Sequence, residues 1–505
     1  MAGLSVETIV FLSLVLDLFA FTIPLPLFPR IIEWYTKRES SDPTGFLSRT
    51  LGTVAALRSF FYNPSSNPQK WDIVLLGGLM GSVFSALQWF VSPRIGSLSD
   101  KYGRKRVLLI TMIGNILSAL VWIQSTSFAS YMLSRVIGGL SEGNVQLAIA
   151  ILSDITTQAN RSKALAHVGI AFAICFCIGP PIGAYFASQP LPTSFSASGY
   201  ELNVYATPAV LTLVLLVFET LFLIYALPET RGKRAVQAPS EKAQTNGSST
   251  ATNGHANGNG VSKTANGKAN GNGVATNGKA NGHHPEAQGT VEQRIKMLKV
   301  LRRLHFLFLG LFSGVEFTLT FLTFDLFDWT NKQNGGLIAG IGIISALLQG
   351  GYVRRAMSRV GEGKMAQRGV ASCALGLLFL MLVPLALRNV SAGLAVNLLR
   401  AACVCQAFTS ATVVNALTAF ASLQCDDGVD ADTGKAREEH PELAKGRALG
   451  KFRSSGQLGR AIGPLLACVS YWTFGPAVTY AVSACTMFAL SAGMKSVTAR
   501  QKASH

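Results

Sequence analysis

Apolar runs of about twenty residues recur along this chain and leave it few choices of fold. Twelve can be read, at 7–28, 72–92, 107–125, 129–152, 164–187, 205–227, 304–325, 336–353, 369–387, 391–421, 449–472 and 475–494. A bilayer core of roughly 30 Å is crossed by about 20 helical residues. Backbone donors and acceptors find no water there, so each run must pair its own amides and be a helix. Only 14% of residues are charged, against about 25% in a soluble domain. The first run, Glu7–Phe28, has no basic segment before it and no small-x-small cleavage site, and it carries Asp17 mid-run. It therefore reads as a retained span and not as a signal peptide. The expected fold is an all-α membrane protein with twelve transmembrane helices.

The net charge of +18 does not imply a nucleic-acid partner. The basic residues collect in short segments between apolar runs, and no aromatic-plus-basic stripe suited to single strands is present. If the segment 93–106 lies in the cytosol, the short inner loops hold eighteen Lys and Arg and the outer ones eight. That bias places both termini inside. The segment 30–70 is the exception, with six basic residues offset by Glu33, Glu39 and Asp42. Its Asn-Pro steps at 63–64 and 67–68 suggest a turn-rich outer cap. All cysteines except Cys425 fall inside apolar runs. Neither a disulfide framework nor a metal site is expected, because Cys175-x-Cys177 and Cys403-x-Cys405 lack ligand spacing and nearby histidines.

Residues 235–288 are of another kind, an Asn-Gly-rich tract with almost nothing to bury. His255, His283 and His284 read there as linker filler, and Asn246-Gly-Ser248 as a sequon on the cytosolic side. The expected domains are an N-terminal six-helix bundle over 1–230, a disordered cytosolic linker over 231–300 and a C-terminal six-helix bundle over 301–498. Weak internal likeness supports paired halves around a central cavity. Leu133-Ser-Arg135 has its counterpart in Leu398-Leu-Arg400, and Gly179-Pro180-Pro181 in Ile462-Gly463-Pro464.

Between the second and third runs lies Gly96-Ser-Leu-Ser-Asp100-Lys-Tyr-Gly103-Arg104-Lys105-Arg106. A merely topological basic loop explains neither its isolated acid nor its glycine spacing. Gly96, Leu98, Asp100, Gly103, Arg104 and Arg106 resemble, position by position, the loop between spans 2 and 3 of the major facilitator superfamily. The resemblance implies two pseudo-symmetric six-helix bundles and alternating access. It also implies that Asp154, ending span 4, pairs with Arg104, and that Asp100 faces the start of span 11 near Gly450 as part of an inner gate. Gly179-Pro180-Pro181-Ile-Gly183 is similar to the Gly-Pro-x-x-Gly motif of antiporters in this superfamily, where proline bends the helix and glycine admits a neighbour. A plain packing kink is the other reading of Gly179, Pro180 and Gly183. Glu316 within Gly314–Phe324, together with Gly450–Pro464, resembles the tetracycline-transporter-like subgroup, whose animal members are described as organic-anion transporters.

Charges inside the spans are the candidate machinery, since each costs several kcal/mol unless it meets water or a partner. Asp17 precedes Pro24 and Pro26, as the acid of span 1 does in tetracycline-type drug/proton antiporters; a structural ion pair is the competing reading. Arg135 and Glu142 stand seven residues apart, about two turns, and so share a face of span 4. Glu316, Arg400 and Arg460 are the charges of the second half. The arginines favour an anionic solute and the acids counterbalance them. Glu219 is compatible with the cavity or the membrane surface and is left unassigned.

These features point to a secondary active transporter of an amphiphilic organic solute, drug-like or anionic, by proton-coupled antiport. It is expected to be monomeric, in the plasma membrane or an endomembrane. No nucleotide-binding Gly-x-x-x-x-Gly-Lys-[Ser/Thr] loop occurs, so ATP is not the driver, and no cofactor or metal is implied. An enzyme is disfavoured because no catalytic cluster is discernible. The alternative is a transporter-shaped receptor or lipid-handling protein without coupling, which has no reason to keep costly charges at mid-membrane.

Overall fold

The computed structural model describes residues 4–24, 27–39, 41–60, 68–187, 202–203, 205–231, 290–329, 331–426 and 439–503. Residues 232–289, most of the expected linker, lie outside the described residues, as do its three histidines and Asn246. The described residues are helical almost throughout. In order come α1 (Val6–Thr22), α2 (Phe28–Arg38), α3 (Phe46–Phe60), α4 (Pro68–Tyr102), α5 (Arg104–Ile123), α6 (Phe128–Ser141), α7 (Asn144–Ile155), α8 (Gln158–Ala187) and α9 (Ala206–Ala226). Then follow α10 (Val291–Phe327), α11 (Asn331–Leu347), a π-helical turn (Leu348–Val353), α12 (Arg354–Val360), α13 (Glu362–Asn389), α14 (Ala392–Leu423) and α15 (Lys445–Ala503).

Among the described residues, ten stretches are long and apolar enough to cross a membrane. The outside of the molecule is apolar too: Ile110, Ile113, Val214, Leu347 and Leu466 are all more than half exposed. A surface of that kind is matched to lipid and not to water. The chain is an integral membrane protein. Two helices stand outside the simple count. α1 has 17 residues, and α15 has 59 but turns at Gly475, whose φ of 82° breaks the helix before Pro476.

Inside, the apolar side chains form two large clusters. One draws on helices before residue 228, with Ala419 the single contribution from α14. The other is built wholly from residues after 297. Lipid is as apolar as leucine, so helix contact in a membrane depends on close packing, and small residues permit it. Thus Gly456, Gly459 and Gly463 on α15 face His305, Phe306 and Gly310 on α10, where a Cβ would overlap the opposing helix. Gly179 and Gly183 on α8 lie against Thr22 and Ile23 in the same way, while the helix runs on through Pro180 and Pro181.

The segment after α1 departs from the turn-rich expectation. Residues 28–38 and 46–60 are helices, and α2 is strongly amphipathic. Ile31, Ile32 and Tyr35 occur at helical spacing and are buried against Leu76, Met80, Trp122 and Tyr131. The Tyr35 hydroxyl donates to Ser125 O at 2.9 Å, and Asn203 Nδ2 donates to the same carbonyl at 2.7 Å. Glu39 accepts the Phe128 amide at 2.6 Å, satisfying a free donor at the start of α6. Asn63, Pro64 and Asn67 lie outside the described residues.

Candidate functional site: a charged pocket at a broken span

The fourth span is two helices. α6 ends at Ser141, Glu142 takes extended backbone (φ −70°, ψ 91°), and α7 begins at Asn144. The sequence Ser-Glu-Gly-Asn accounts for the break. Gly143 is pressed between Thr111 and Ile95, where a Cβ would approach within 3.0–3.1 Å. Discontinuous helices in transporters expose unpaired amides and helix-dipole ends where ligands bind. Here the first residue of α7 meets Asp17: Asn144 Nδ2 donates to its Oδ1. Asp17 is only 4% exposed. Asn144 also accepts from the Thr111 hydroxyl at 3.2 Å, fixing its side chain between α5 and α1.

Asp17, Arg135 and Glu142 line one pocket with Phe84, Asn115 and Trp122. Its volume is about 70 Å³. The Arg135 guanidinium lies 4.7 Å above the Phe84 ring, a cation–π arrangement that holds it at the wall. Arg453 of α15 adds charge from the other side, acting electrostatically on both Glu142 and Asp17. Glu219 of α9 is fully buried, and its Oε1 accepts from the Ser13 hydroxyl at 2.7 Å.

The second-half candidates are placed differently. Arg460 Nη2 lies 3.6 Å from Glu316 Oε2, and both side chains are more than a third exposed. Arg460 follows Arg453 by seven residues, so the two share a face of α15. Arg400 is exposed, with Nη1 3.5 Å from Asn397 Oδ1. No contact joins it to Asp17 or Glu142 among the described residues.

Towards the end of α4 the motif residues form a dense ionic cluster. The Gly96–Tyr102 part of the motif is helical, and Gly103 (φ 100°) makes the whole turn into α5. Arg104 is 1% exposed, and its guanidinium bonds Asp100 Oδ1 and Asp154 Oδ2, each at 2.8 Å. Asp100 also accepts the first amides of α15, from Gly446 at 2.9 Å and Arg447 at 2.7 Å. A carboxylate at a helix N-terminus gains from both hydrogen bonds and dipole. Gly96 and Gly446 touch backbone to backbone, and a Cβ on either would overlap the other's carbonyl oxygen. Arg106 is exposed beside this cluster. Glu229, just beyond α9, accepts the amides of Arg104 (2.8 Å) and Lys105 (3.2 Å).

Two more cations lie close to this cluster. Lys445 Nζ donates to Ser153 O at 2.9 Å and lies 3.4 Å from Asp154. Arg161 donates to the carbonyls of Ser153 (3.1 Å), Thr156 and Ser422 (both 3.3 Å), at the C-terminal ends of α7 and α14. Positive charge is favoured at helix C-termini. Sequence reasoning had counted Arg161, Lys445 and Arg453 as loop charges. It had left Glu219 unassigned and had given Asn144 no role. A buried acid inside an apolar run was the available signal for Glu219.

Comparison with known proteins bears out the resemblance carried by Gly96–Arg106. The model of the Major Facilitator Superfamily matches residues 10–430. The bovine protein called major facilitator superfamily domain-containing protein 10 is 33% identical over 480 residues, 95% of this chain and 90% of its own length. A tetracycline resistance protein of class H from Pasteurella multocida is 28% identical over 177 residues, 35% of this chain and 40% of its own. The crystal structure of the human organic anion transporter MFSD10 (TETRAN) superposes with a TM-score of 0.71 at 27% identity, covering 97% of this chain and 98% of that one. With a family match over most of its length and a relative of this identity, the chain belongs to the major facilitator superfamily and is a membrane transporter, not an enzyme.

Proposed function

We propose that this protein is a proton-coupled antiporter that carries an amphiphilic organic solute, of drug-like or organic-anion type, by alternating access. The observation that supports this best is Asp17: a carboxyl buried in a membrane span, held by Asn144 at a helix break and lining a pocket with Glu142 and Arg135. A carboxyl so placed can exchange a proton with a solute-bearing cavity, which repays the cost of keeping it at mid-membrane. The human relative is an organic anion transporter by name and the bacterial one a tetracycline resistance protein. Arg135, Arg453 and Arg460 supply the cations an anionic solute group requires.

In this reading α1 and the two parts of α15 complete twelve spans in two six-helix bundles. The sequence-expected linker over 231–300 is cut short by α10, which is already helical from Val291; both termini and the segment before α10 lie in the cytosol, and the chain works as a monomer. The Asp100–Arg104–Asp154 cluster, with Gly96, Gly103, Arg106 and the α15 amides, is the inner gate. Gly179, Pro180 and Gly183 provide the close contact about which α1 and α8 move. Glu316 and Arg460 form the cavity's second charged pair.

Flux of a fluorescent organic anion into proteoliposomes, with and without an imposed pH gradient, tests the proposal. The gradient should drive accumulation by the unaltered protein. Asp17→Asn should reduce that component to the level of protein-free liposomes. Equal gradient-driven flux for both proteins removes Asp17 from coupling.

A further inference from the structure

We infer that Glu219 is a second proton-binding carboxyl, held by Ser13 one turn of α1 away from Asp17 and electrostatically coupled to it. The inference deepens the proton-coupled reading and rests on it. Ser13 and Asp17 are four residues apart on α1, so they stack on one face. Ser13 holds Glu219 Oε1 at 2.7 Å, which places this carboxyl one helical turn from Asp17. Glu219 is 0% exposed, and its Oε2 has no hydrogen-bond partner. No ion pair reaches it among the described residues.

The groups that face Glu219 make an ionised state expensive. Asp17 and Glu142, both acidic, act on it directly. Titratable groups of α8, which also packs on α9, are engaged elsewhere: the Cys175 thiol lies 3.4 Å from Val15 O and His167 lies 3.0 Å from Glu7 near the start of α1. From α5 comes Lys105, but its Nζ is engaged 2.8 Å from Ile224 O, five residues further along α9. Charge counting points the same way. Three carboxyls, Asp17, Glu142 and Glu219, meet two guanidiniums, Arg135 and Arg453, and Glu316 is balanced by Arg460. One negative charge is left over, and at the fully buried Glu219 a proton neutralises it at the least cost. Asp17 has the Asn144 donor and Glu142 has the two arginines. Glu219 has only a serine hydroxyl, so its free Oε2 is where the proton resides.

Infrared titration of the purified full-length protein in lipid nanodiscs reads the carbonyl stretch of protonated buried carboxyls without any solute. The unaltered protein should show a component that Glu219→Gln deletes and Ser13→Ala shifts in frequency. Asp17→Asn should move the pH midpoint of that component, because the two acids are coupled. If Glu219→Gln leaves every carboxyl component in place, or if Asp17→Asn leaves the Glu219 midpoint unmoved, the inference falls. The Ser13→Ala shift decides the matter should Glu219→Gln not fold, and its absence overturns the assignment. Should proteoliposome flux prove independent of the pH gradient while these signals appear, the transport reading fails and the protonated, Asp17-coupled Glu219 stands.

Discussion

Gly183 shows how little room the contacts of this protein leave. A Cβ there would overlap the Ile23 carbonyl oxygen, which is backbone and cannot swing aside. Gly183→Ala should therefore cost about 1–3 kcal/mol of overpacking and lower the melting temperature in detergent. Gly340→Ala, with nothing within 4 Å, should instead be neutral or stabilising by up to about 1 kcal/mol from helix propensity. The same scale separates what could be read from sequence. Asp17 and Glu142 stood out because an acid within twenty apolar residues is costly unless it meets water or a partner. Arg453, Arg161 and Lys445 did not, because a basic residue at the end of a span looks identical whether it sets topology or reaches inward. Only the fold shows that Arg161 turns back onto three carbonyl oxygens.

Among the elements, the Gly96–Arg106 stretch was legible as a motif but not as a shape. Its first seven residues prolong α4, and a single glycine makes the turn. The break in span 4 was hidden, because Glu142-Gly143 within a hydrophobic run keeps the helical period on both sides. α2 was missed because the Asn-Pro steps drew attention from the Ile31, Ile32, Tyr35 face. The latch can be probed through Cys425, which lies beyond α14, is fully buried and is free. Burial pushes its thiol up to about 12, outweighing the nearby Arg161, Lys445 and Arg294. A thiol is reactive only as thiolate, which forms as pH rises towards that value. Maleimide labelling of Cys425, followed by mass spectrometry, should thus be slow at neutral pH. Asp100→Asn removes the charge that caps α15, worth about 1.5–3 kcal/mol, and should speed labelling by roughly tenfold or more. Unchanged labelling would mean that the Asp100 contacts do not hold this end shut.

At the scale of the whole molecule, the two ends of the first part of α15, before the break at Gly475, meet different partners. Lys445 and Gly446 join the ionic cluster. Cys468, 23 residues on and so about 35 Å away along the helix, packs with Leu75 and with Val54 of α3. Phe317, Phe321 and Trp472 lie against the same group. The added helix therefore bridges early and late parts of the chain at the end remote from the latch. Val54→Asp should loosen that bridge and raise labelling of Cys468, which is 2% exposed, while slowing that of Cys425. A parallel rise at both cysteines would show general loosening instead of exchange between two closures. Family membership and membrane insertion were legible because they depend on run length and one short motif. The bridge was not, since nothing local in residues 46–60 says which distant helix Val54 will touch.

The pocket beside Asp17 has a consequence for anyone measuring affinity. At about 70 Å³ it is far smaller than the roughly 300–1,000 Å³ of pockets that hold drug-sized ligands. On the proposed reading, in which the solute enters here, it must first open this space. Its apparent dissociation constant then folds together the grip of the finished chamber and the scarcity of molecules already ajar. Two compounds gripped equally well will rank differently if one tolerates a smaller opening.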